Sequence, residues 1–355
     1  MNIIIPVLQF GKSGGFRVLS KLADAWISKG HKVSFLSPIA NIKPYFPTKA
    51  KIIWVDRNGD QCTEDEIIDE DKYVMYQRWK ALYCGLNRLE NSFDIALANH
   101  SLSTFPLFFS KIKAKKFYYI QAYEPEYYNS FGGIKAHILT LLSWISYFLK
   151  FSRIVNADLY KNYKNIRAEQ VVYPGVDFDV FKPQPKLART DKLILGSIGR
   201  AESYKGTNFV LDAFMLAIRK NPNVELHIAF GDLSLEKLHP NIKVVIPGCD
   251  RELGQFYNSL DILIAAGTVQ LGAVHYPVIE AMACGIPVIN TGYFPASVDN
   301  SWLVPIKDSK SIADQIFNII SNEEIKKQKI EKGFQDTRKF SWDIVSEKMY
   351  AYFVA

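Results

Sequence analysis

Two segments in the C-terminal half carry side chains whose types and spacing could hold a phosphorylated ligand. The first is Ile198-Gly199-Arg200-Ala201-Glu202-Ser203-Tyr204-Lys205-Gly206, between a β-rich run and a helical one. Arg200 and Lys205 would put two cations on one loop beside a helix N-terminus. Guanidinium, ammonium and backbone N–H groups can there act together on one diphosphate. The alternative is a solvated loop whose charges face water. The second segment is Tyr276-Pro277-Val278-Ile279-Glu280-Ala281-Met282-Ala283-Cys284-Gly285-Ile286-Pro287. Pro277 suits a first helical turn. Glu280 sits among apolar residues, where a lone carboxylate is costly to bury without a donor, and a ribose diol would supply one. The competing reading makes Glu280 a helix-start charge that complements the macrodipole.

The elements that must position these segments can be read from the hydrophobic pattern. Ile3–Leu8 is a short β-rich run, Gly11–Gly15 a flexible loop, and Val18, Leu19, Leu22, Ala23, Trp26 and Ile27 recur at helical spacing until Gly30. Lys32–Leu36 is the next strand, with others expected at Lys51–Val55, Asp94–Ala98 and Phe117–Gln121. A continuous apolar first strand followed by a crossover helix argues for a buried parallel sheet. The pattern restarts at the strand Leu193–Gly199, then a helix at Asn208–Arg219 and a strand at Val224–Phe230. Shorter strands follow at Lys243–Ile246 and Ile262–Ala265, with helices near Glu252–Ser259 and Ile279–Cys284 and a last amphipathic one at Trp342–Phe353. The segment Pro174–Lys192, with Pro174, Gly175, Pro183 and Pro185, reads as a linker. The expected fold class is α/β: two doubly wound units facing each other across a cleft, with ligands at the C-terminal ends of the strands.

Composition fits that architecture. The chain has 355 residues, long enough for two cores. Cys62, Cys84, Cys249 and Cys284 are scattered with no C-x-x-C pair, so reduced thiols in cytoplasm are expected rather than a zinc ribbon or disulfide scaffold. No positive charge precedes the short apolar run at the N-terminus, so a signal peptide is not expected. No apolar stretch approaches the roughly 18–20 residues of a membrane span. Residues 1–174 hold 23 Lys and Arg against 15 Asp and Glu, and the remainder 20 against 21, so the whole +7 excess is N-terminal.

The two charged segments, in this order, resemble the GT-B glycosyltransferases, specifically the retaining family 4. Gly14-Gly15 is similar to that family's glycine-rich first loop, and Gly30-His31-Lys32-Val33 to its helix exit. Tyr173–Asp177 with Phe181-Lys182-Pro183 resembles its linker. Leu253 with Tyr257–Asp261 resembles its penultimate segment, and Phe340-Ser341-Trp342 the helix that crosses back to the first domain. The resemblance implies Rossmann-like domains at residues 1–174 plus 338–355 (acceptor side) and 175–337 (nucleotide-sugar side). It also implies roles. Arg200 and Lys205 would hold the donor diphosphate and Glu280 the ribose hydroxyls. Gly14 and Gly15 would admit the donor phosphate or the acceptor. His100 would lie near the transferred sugar, although a histidine at a strand end can equally be structural.

One departure matters. The family usually has two glutamates separated by seven residues, and the first position here is Gly272, with His275 and Tyr276 close by as candidate donor contacts. Gln121-Ala122-Tyr123-Glu124-Pro125 and Tyr276-Pro277 resemble a branch that includes bacterial surface-glycan L-rhamnosyltransferases. That likeness makes Glu124 and Tyr123 candidates for acceptor binding, against an ordinary surface turn, and L-rhamnose the first-choice sugar. The implied reaction is transfer from a nucleoside-diphosphate sugar to a hydroxyl of a surface or lipid-linked glycan, with a hexosyltransferase or a sugar-nucleotide-binding pseudoenzyme as alternatives. Fixed cations would stabilise the leaving diphosphate, so no metal and no cofactor are expected.

Other patterns carry less. Asp177-Phe178-Asp179 fits a metal-binding Asp-x-Asp but lies in the linker. Glu64–Asp71 places six acids in eight residues, which reads as the start of a solvated helix rather than a calcium loop. No G-x-G-x-x-G or G-x-x-x-x-G-K-[ST] occurs, so dehydrogenase and NTPase readings lack their motifs. From Ala98 to Arg167 ten Lys and Arg face three acids around the apolar run Ile138–Leu149. Either this is a buried helix with cationic ends, or it docks on anionic lipid at the inner face of the cell membrane. The aromatics there form no stacking motif, so no nucleic-acid partner is expected.

Overall fold

The computed structural model describes residues 1–129, 131–163, 165–185, 191–199 and 202–355, and the chain divides into two compact units. Unit 1 comprises Met1–Gly175 and Trp342–Ala355, unit 2 Val176–Ser341. Arg338–Phe340 therefore stays with unit 2, and the return begins at Trp342 rather than at residue 338.

Unit 1 runs β1 (Asn2–Pro6), α1 (Gly14–Ser28), β2 (Lys32–Pro38), β3 (Lys51–Val55), β4 (Gln61–Cys62), α2 (Met75–Arg88), β5 (Ile95–Ala98), α3 (Ser101–Phe109), β6 (Lys115–Ile120), α4 (Glu124–Asn129), α5 (Gly133–Ser146), β7 (Ser152–Val155) and β8 (Gln170–Val171). The sheet order is β4-β3-β2-β1-β5-β6-β7-β8, parallel except for β4. Its central strand β1 is apolar on both faces, with Ile3, Ile4 and Ile5 fully buried, as a strand covered by helices on both sides requires. The strand order reverses between β1 and β5, the switch point at which doubly wound sheets bind ligands.

Unit 2 runs β9 (Leu193–Ile198), α6 (Thr207–Lys220), β10 (Val224–Ala229), β11 (Ile242–Val245), α7 (Asp250–Ser259), β12 (Ile262–Ala265), α8 (Tyr276–Ala283), β13 (Val288–Asn290), β14 (Trp302–Leu303), α9 (Ser309–Ser321) and α10 (Glu323–Thr337). Its sheet, β11-β10-β9-β12-β13-β14, is wholly parallel and switches between β9 and β12. Beneath α6 and α9 the core gathers Phe214, Leu226, Ile262, Ile264, Ile289 and Ile316.

The final helix, α11 (Trp342–Val354), packs on α1. The Trp26 indole donates to the Ser346 carbonyl at 3.0 Å, and the Trp26 ring meets Phe353 at 5.5 Å. His31 stacks on Tyr350 at 4.4 Å. Gly175 has no room for a side chain beside α11, because a Cβ there would lie 2.6 Å from the Trp342 ring.

Two local expectations are corrected. Gly14 and Gly15 are the first residues of α1 rather than loop. The acidic run forms two short 3₁₀ turns, Glu64–Glu66 and Glu70–Lys72, rather than a helix. Ile67 and Ile68 between them are extended onto a bridge with Ala40, and like charges four apart disfavour a helix. Asp177 and Asp179 make a turn in which the Asp179 N–H donates to Asp177 Oδ1 at 3.1 Å. Among the described residues no cluster of His, Cys, Asp and Glu is arranged to hold a metal ion, and all four cysteines are free thiols.

The N-terminal end of the second sheet carries a buried charge network. Glu225 on β10 is 4% exposed and is met by Lys192, by Lys243 at 3.0 Å and by His227 at 3.1 Å. Burial alone would raise its pKa, but the three donors outweigh burial and hold it at about 2. A depressed carboxylate pKa contributes stability above its unfolded value of 4.5 and loses that contribution as pH falls through about 2. The melting-temperature gap between the native chain and Glu225→Gln is therefore expected to narrow as pH is lowered from 5 to 2. A gap constant over that range would show that the network does not stabilise the fold.

Candidate active-site residues

In unit 1 the sheet order assembles residues from separate segments. β5 and β6 are parallel neighbours, so His100 and Glu124, just past their C-terminal ends, come side by side. His100 is the N-cap of α3, and its Nδ1 accepts from the Leu102 N–H at 3.1 Å. In the neutral ring the proton then sits on Nε2, which faces the Tyr128 hydroxyl at 3.1 Å and Glu124 Oε2 at 3.5 Å. The Ser101 N–H donates to both Glu124 oxygens, at 3.0 and 3.1 Å, and the Ser101 hydroxyl donates to Oε2. The carboxylate thus lies on the positive end of α3. Burial, and after it the Glu124 charge, raises the Tyr128 pKa far above its usual value, so this phenol stays protonated. A half-exposed imidazole with a fixed tautomer, a neutral hydroxyl and an anchored carboxylate together suit the binding of sugar hydroxyls.

Gly14 and Gly15 open α1 at the same end of the sheet, past β1. The Gln121 amide, past β6, donates to the Gly15 carbonyl at 3.3 Å and leaves its Oε1 buried without a hydrogen-bond partner among the described residues. Tyr123 is placed differently from its neighbours in the motif. Its ring stacks on Tyr147 at 5.7 Å and meets Tyr163 at 4.1 Å, and its hydroxyl accepts from Asn165 at 3.0 Å.

Glu124→Ala removes the ligand that holds the first turn of α3. It is expected to cost about 1–2 kcal/mol of stability, as loss of a helix cap does, with much of that restored in Glu124→Gln. Chemical denaturation tests this, and an alanine variant as stable as the parent would remove the capping role.

In unit 2, Arg200 lies outside the described residues. Lys205 ends the 3₁₀ turn Ser203–Lys205, half-buried, with Nζ 5.4 Å from the Tyr204 ring centroid. Gly206 follows at φ +79° and leads into α6. This loop is tied to the one after β12, since the Thr268 N–H donates to the Tyr204 carbonyl at 2.9 Å. Lys205 is thereby fixed at the switch point of the second sheet. Past β12, Gly272 adopts φ +88° with no atom of the described residues within 4 Å of where a Cβ would lie, and its N–H donates to the Gly292 carbonyl at 2.8 Å. His275 occupies the N-cap position of α8 and its ring stacks on Tyr293 at 4.3 Å; Tyr276 is the first residue of that helix. Glu280, 2% exposed, accepts from the Tyr257 hydroxyl at 2.8 Å. Burial, and then the Glu280 charge, pushes the Cys284 thiol up to about 12, so it is no nucleophile.

Sequence reasoning did not single out Tyr128, Ser101 or Tyr257 for these sites. Tyr128 lies four residues after Glu124, one helical turn on, and Ser101 directly follows His100, so both were within reach of a local reading. Tyr257 meets Glu280 only through the packing of α7 on α8.

Residues 192–322 match the family model described as "Glycosyl transferases group 1". Among curated proteins, the D-inositol 3-phosphate glycosyltransferase of Mycobacteroides abscessus is 29% identical over 177 residues, 42% of this chain and 38% of its own length. The capsular polysaccharide biosynthesis glycosyltransferase CapM of Staphylococcus aureus is 26% identical over 174 residues, 45% of each. The chain thus spans about half or less of the curated relatives it matches. Among solved structures, sucrose-phosphate synthase of Thermosynechococcus elongatus has a TM-score of 0.76 at 16% identity, covering 99% of this chain and 98% of that one. Anabaena HepE in complex with UDP-glucose has a TM-score of 0.70 at 14% identity, covering 100% and 99%. The fold is GT-B. The GT-B likeness spans the whole chain, whereas the sequence match to glycosyltransferases is confined to part of it.

Proposed function

We propose that this chain is a retaining glycosyltransferase that moves a hexose-type sugar from a nucleoside diphosphate to a hydroxyl of a glycan or lipid-linked saccharide. The observation that carries the reading is the loop after β9, which holds Lys205 at the N-terminus of α6, at the switch point of a domain that matches the group 1 glycosyltransferase model. The leaving diphosphate gains negative charge as its bond to the sugar breaks, and Lys205 with Arg200 would stabilise that charge. Glu280 would accept from the ribose hydroxyls, with Tyr257 fixing one of its oxygens. His100, Tyr128 and Glu124 would contact sugar or acceptor hydroxyls. Retention by front-face attack needs no carboxylate nucleophile, in keeping with Gly272 at the first motif position. HepE in complex with UDP-glucose supports a hexose such as glucose ahead of the 6-deoxyhexose L-rhamnose suggested by the Gln121–Pro125 segment.

A panel of nucleotide sugars tests the proposal by thermal shift and by product formation. A true donor at about a hundred times its Kd should raise the melting temperature by roughly 5–10 °C, and transfer or slow hydrolysis should follow. Glu280→Gln is expected to weaken nucleotide binding, and unchanged affinity would remove its ribose role. Gly272 favours one second reading, a sugar-nucleotide-binding pseudoenzyme. Tight donor binding with neither hydrolysis nor transfer, over a range of acceptors, would establish that reading against ours.

A further inference from the structure

The helix α5 is inside out. Its large apolar side chains Ile134, Ile138, Leu141 and Trp144 are exposed, Ile134 by 81%, and Phe148 just beyond it is exposed as well. At 100° per residue these five fall within an arc of about 120° on one face. The opposite face, which packs on α3 and α4, is built from Ala136, Ser143 and Ser146, all buried. The Ser143 and Ser146 hydroxyls donate to carbonyls of the same helix, at 2.9 and 2.6 Å, so the small polar residues are satisfied without water. A helix that faces water normally shows the reverse pattern. An apolar stripe of this extent on a surface marks a face that something apolar covers.

The charge around the stripe says what covers it. Between Ile95 and Ala157 the chain has seven Lys and Arg and only two acids, Glu124 and Glu126. Glu124 is turned inward onto α3, and Glu126 accepts from Tyr163 at 2.9 Å. Lys135 on α5 and Lys150 just past it are exposed. At the same end of the helix the Phe108 ring meets Phe151 at 6.2 Å, and its neighbour Phe109 is exposed beside Lys111. A second copy seated on this face by a two-fold axis would bring the same cations against each other. No described helix is long and apolar enough to cross a membrane. We infer that α5 is a monotopic docking helix, which lays Ile134, Ile138, Leu141, Trp144 and Phe148 into the interface of a bilayer with anionic headgroups, gripped by Lys111, Lys135 and Lys150. The inference is independent of the transferase reading: vesicle binding is measured without donor or acceptor, so either can fail alone.

The test is flotation of the full chain with vesicles of phosphatidylcholine alone or mixed with phosphatidylglycerol. The chain is expected to float with the mixed vesicles, less so at high salt, and to remain unbound with phosphatidylcholine. The variant Ile138→Ser/Leu141→Ser/Trp144→Ser should lose about tenfold or more in partitioning with its melting temperature unchanged, since these side chains lie outside the core. Lys111→Gln/Lys135→Gln/Lys150→Gln, which leaves the apolar stripe intact, should lose about fivefold for each lysine removed. Equal flotation with both lipids, or retention of binding in both variants, would overturn the inference. So would a dimer in sedimentation velocity that the serine variant dissociates while vesicles bind neither form.

Discussion

Lys205→Ala is expected to lower sugar transfer by about 10²–10³-fold while the melting temperature stays near that of the parent. The first part follows from where charge develops. A diphosphate leaving group carries more negative charge in the transition state than in the ground state. A fixed cation on it therefore lowers the barrier more than it tightens donor binding, and removing one such group typically costs about that factor. Nucleotide affinity should accordingly fall less than the rate. The second part follows from placement. Lys205 is half-buried at the end of a 3₁₀ turn, and the loop is held by backbone bonds through Tyr204 and Gly206 that alanine leaves in place. Lys205→Arg keeps the charge and should recover part of the rate. Transfer within threefold of the parent in Lys205→Ala would remove Lys205 from the diphosphate.

The two sheets were legible because buried parallel strands are written as continuous apolar runs such as Ile3-Ile4-Ile5 and Ile262–Ala265, each followed by a helix. What that pattern does not encode is strand order. His100 and Glu124 are 24 residues apart in the chain, and their meeting depends on β5 and β6 being neighbours with aligned C-terminal ends. The Glu280–Tyr257 bond depends likewise on α7 lying against α8. Local conflicts were also invisible. Gly14-Gly15 has a loop's composition, yet helix α1 begins there because Arg17, Val18, Leu19 and Leu22 bury its inner face. For α5 the composition was plain and the orientation was not. An apolar helix can turn any face to the core, and here Ala136, Ser143 and Ser146 allow close packing, which sends the large residues outward. The sequence around Arg200 and Lys205 marked the loop as a candidate but could not show what holds Lys205 in it, which is the glycine between Lys205 and α6.

That glycine gives the largest structural effect. Gly206 has φ +79°, and a Cβ built on it would lie 2.0 Å from the carbonyl oxygen of Ala266 and 2.6 Å from its carbon. Both atoms are backbone, so no rotamer change relieves the contact. The carbonyl of Gly206 accepts from Phe209 and Val210 in the first turn of α6, and Thr268, two residues beyond Ala266, is bonded to Tyr204. Separating the two loops would therefore strain the entry to α6 and the end of β12 together. Gly206→Ala is expected to destabilise by roughly 3–5 kcal/mol. It should also abolish transfer at temperatures where the variant is still folded, because Lys205 moves with the loop. Gly30→Ala supplies the control. Gly30 has a similar φ of +85° with no atom of the described residues within 4 Å of its Cβ position, so it carries only the left-handed penalty of about 1–2 kcal/mol. The difference between the two variants in chemical denaturation measures the contact with the Ala266–Gly267 backbone. If Gly206→Ala unfolds no more readily than Gly30→Ala, the two loops are not locked together, and the position of Lys205 must be set by something other than this closure.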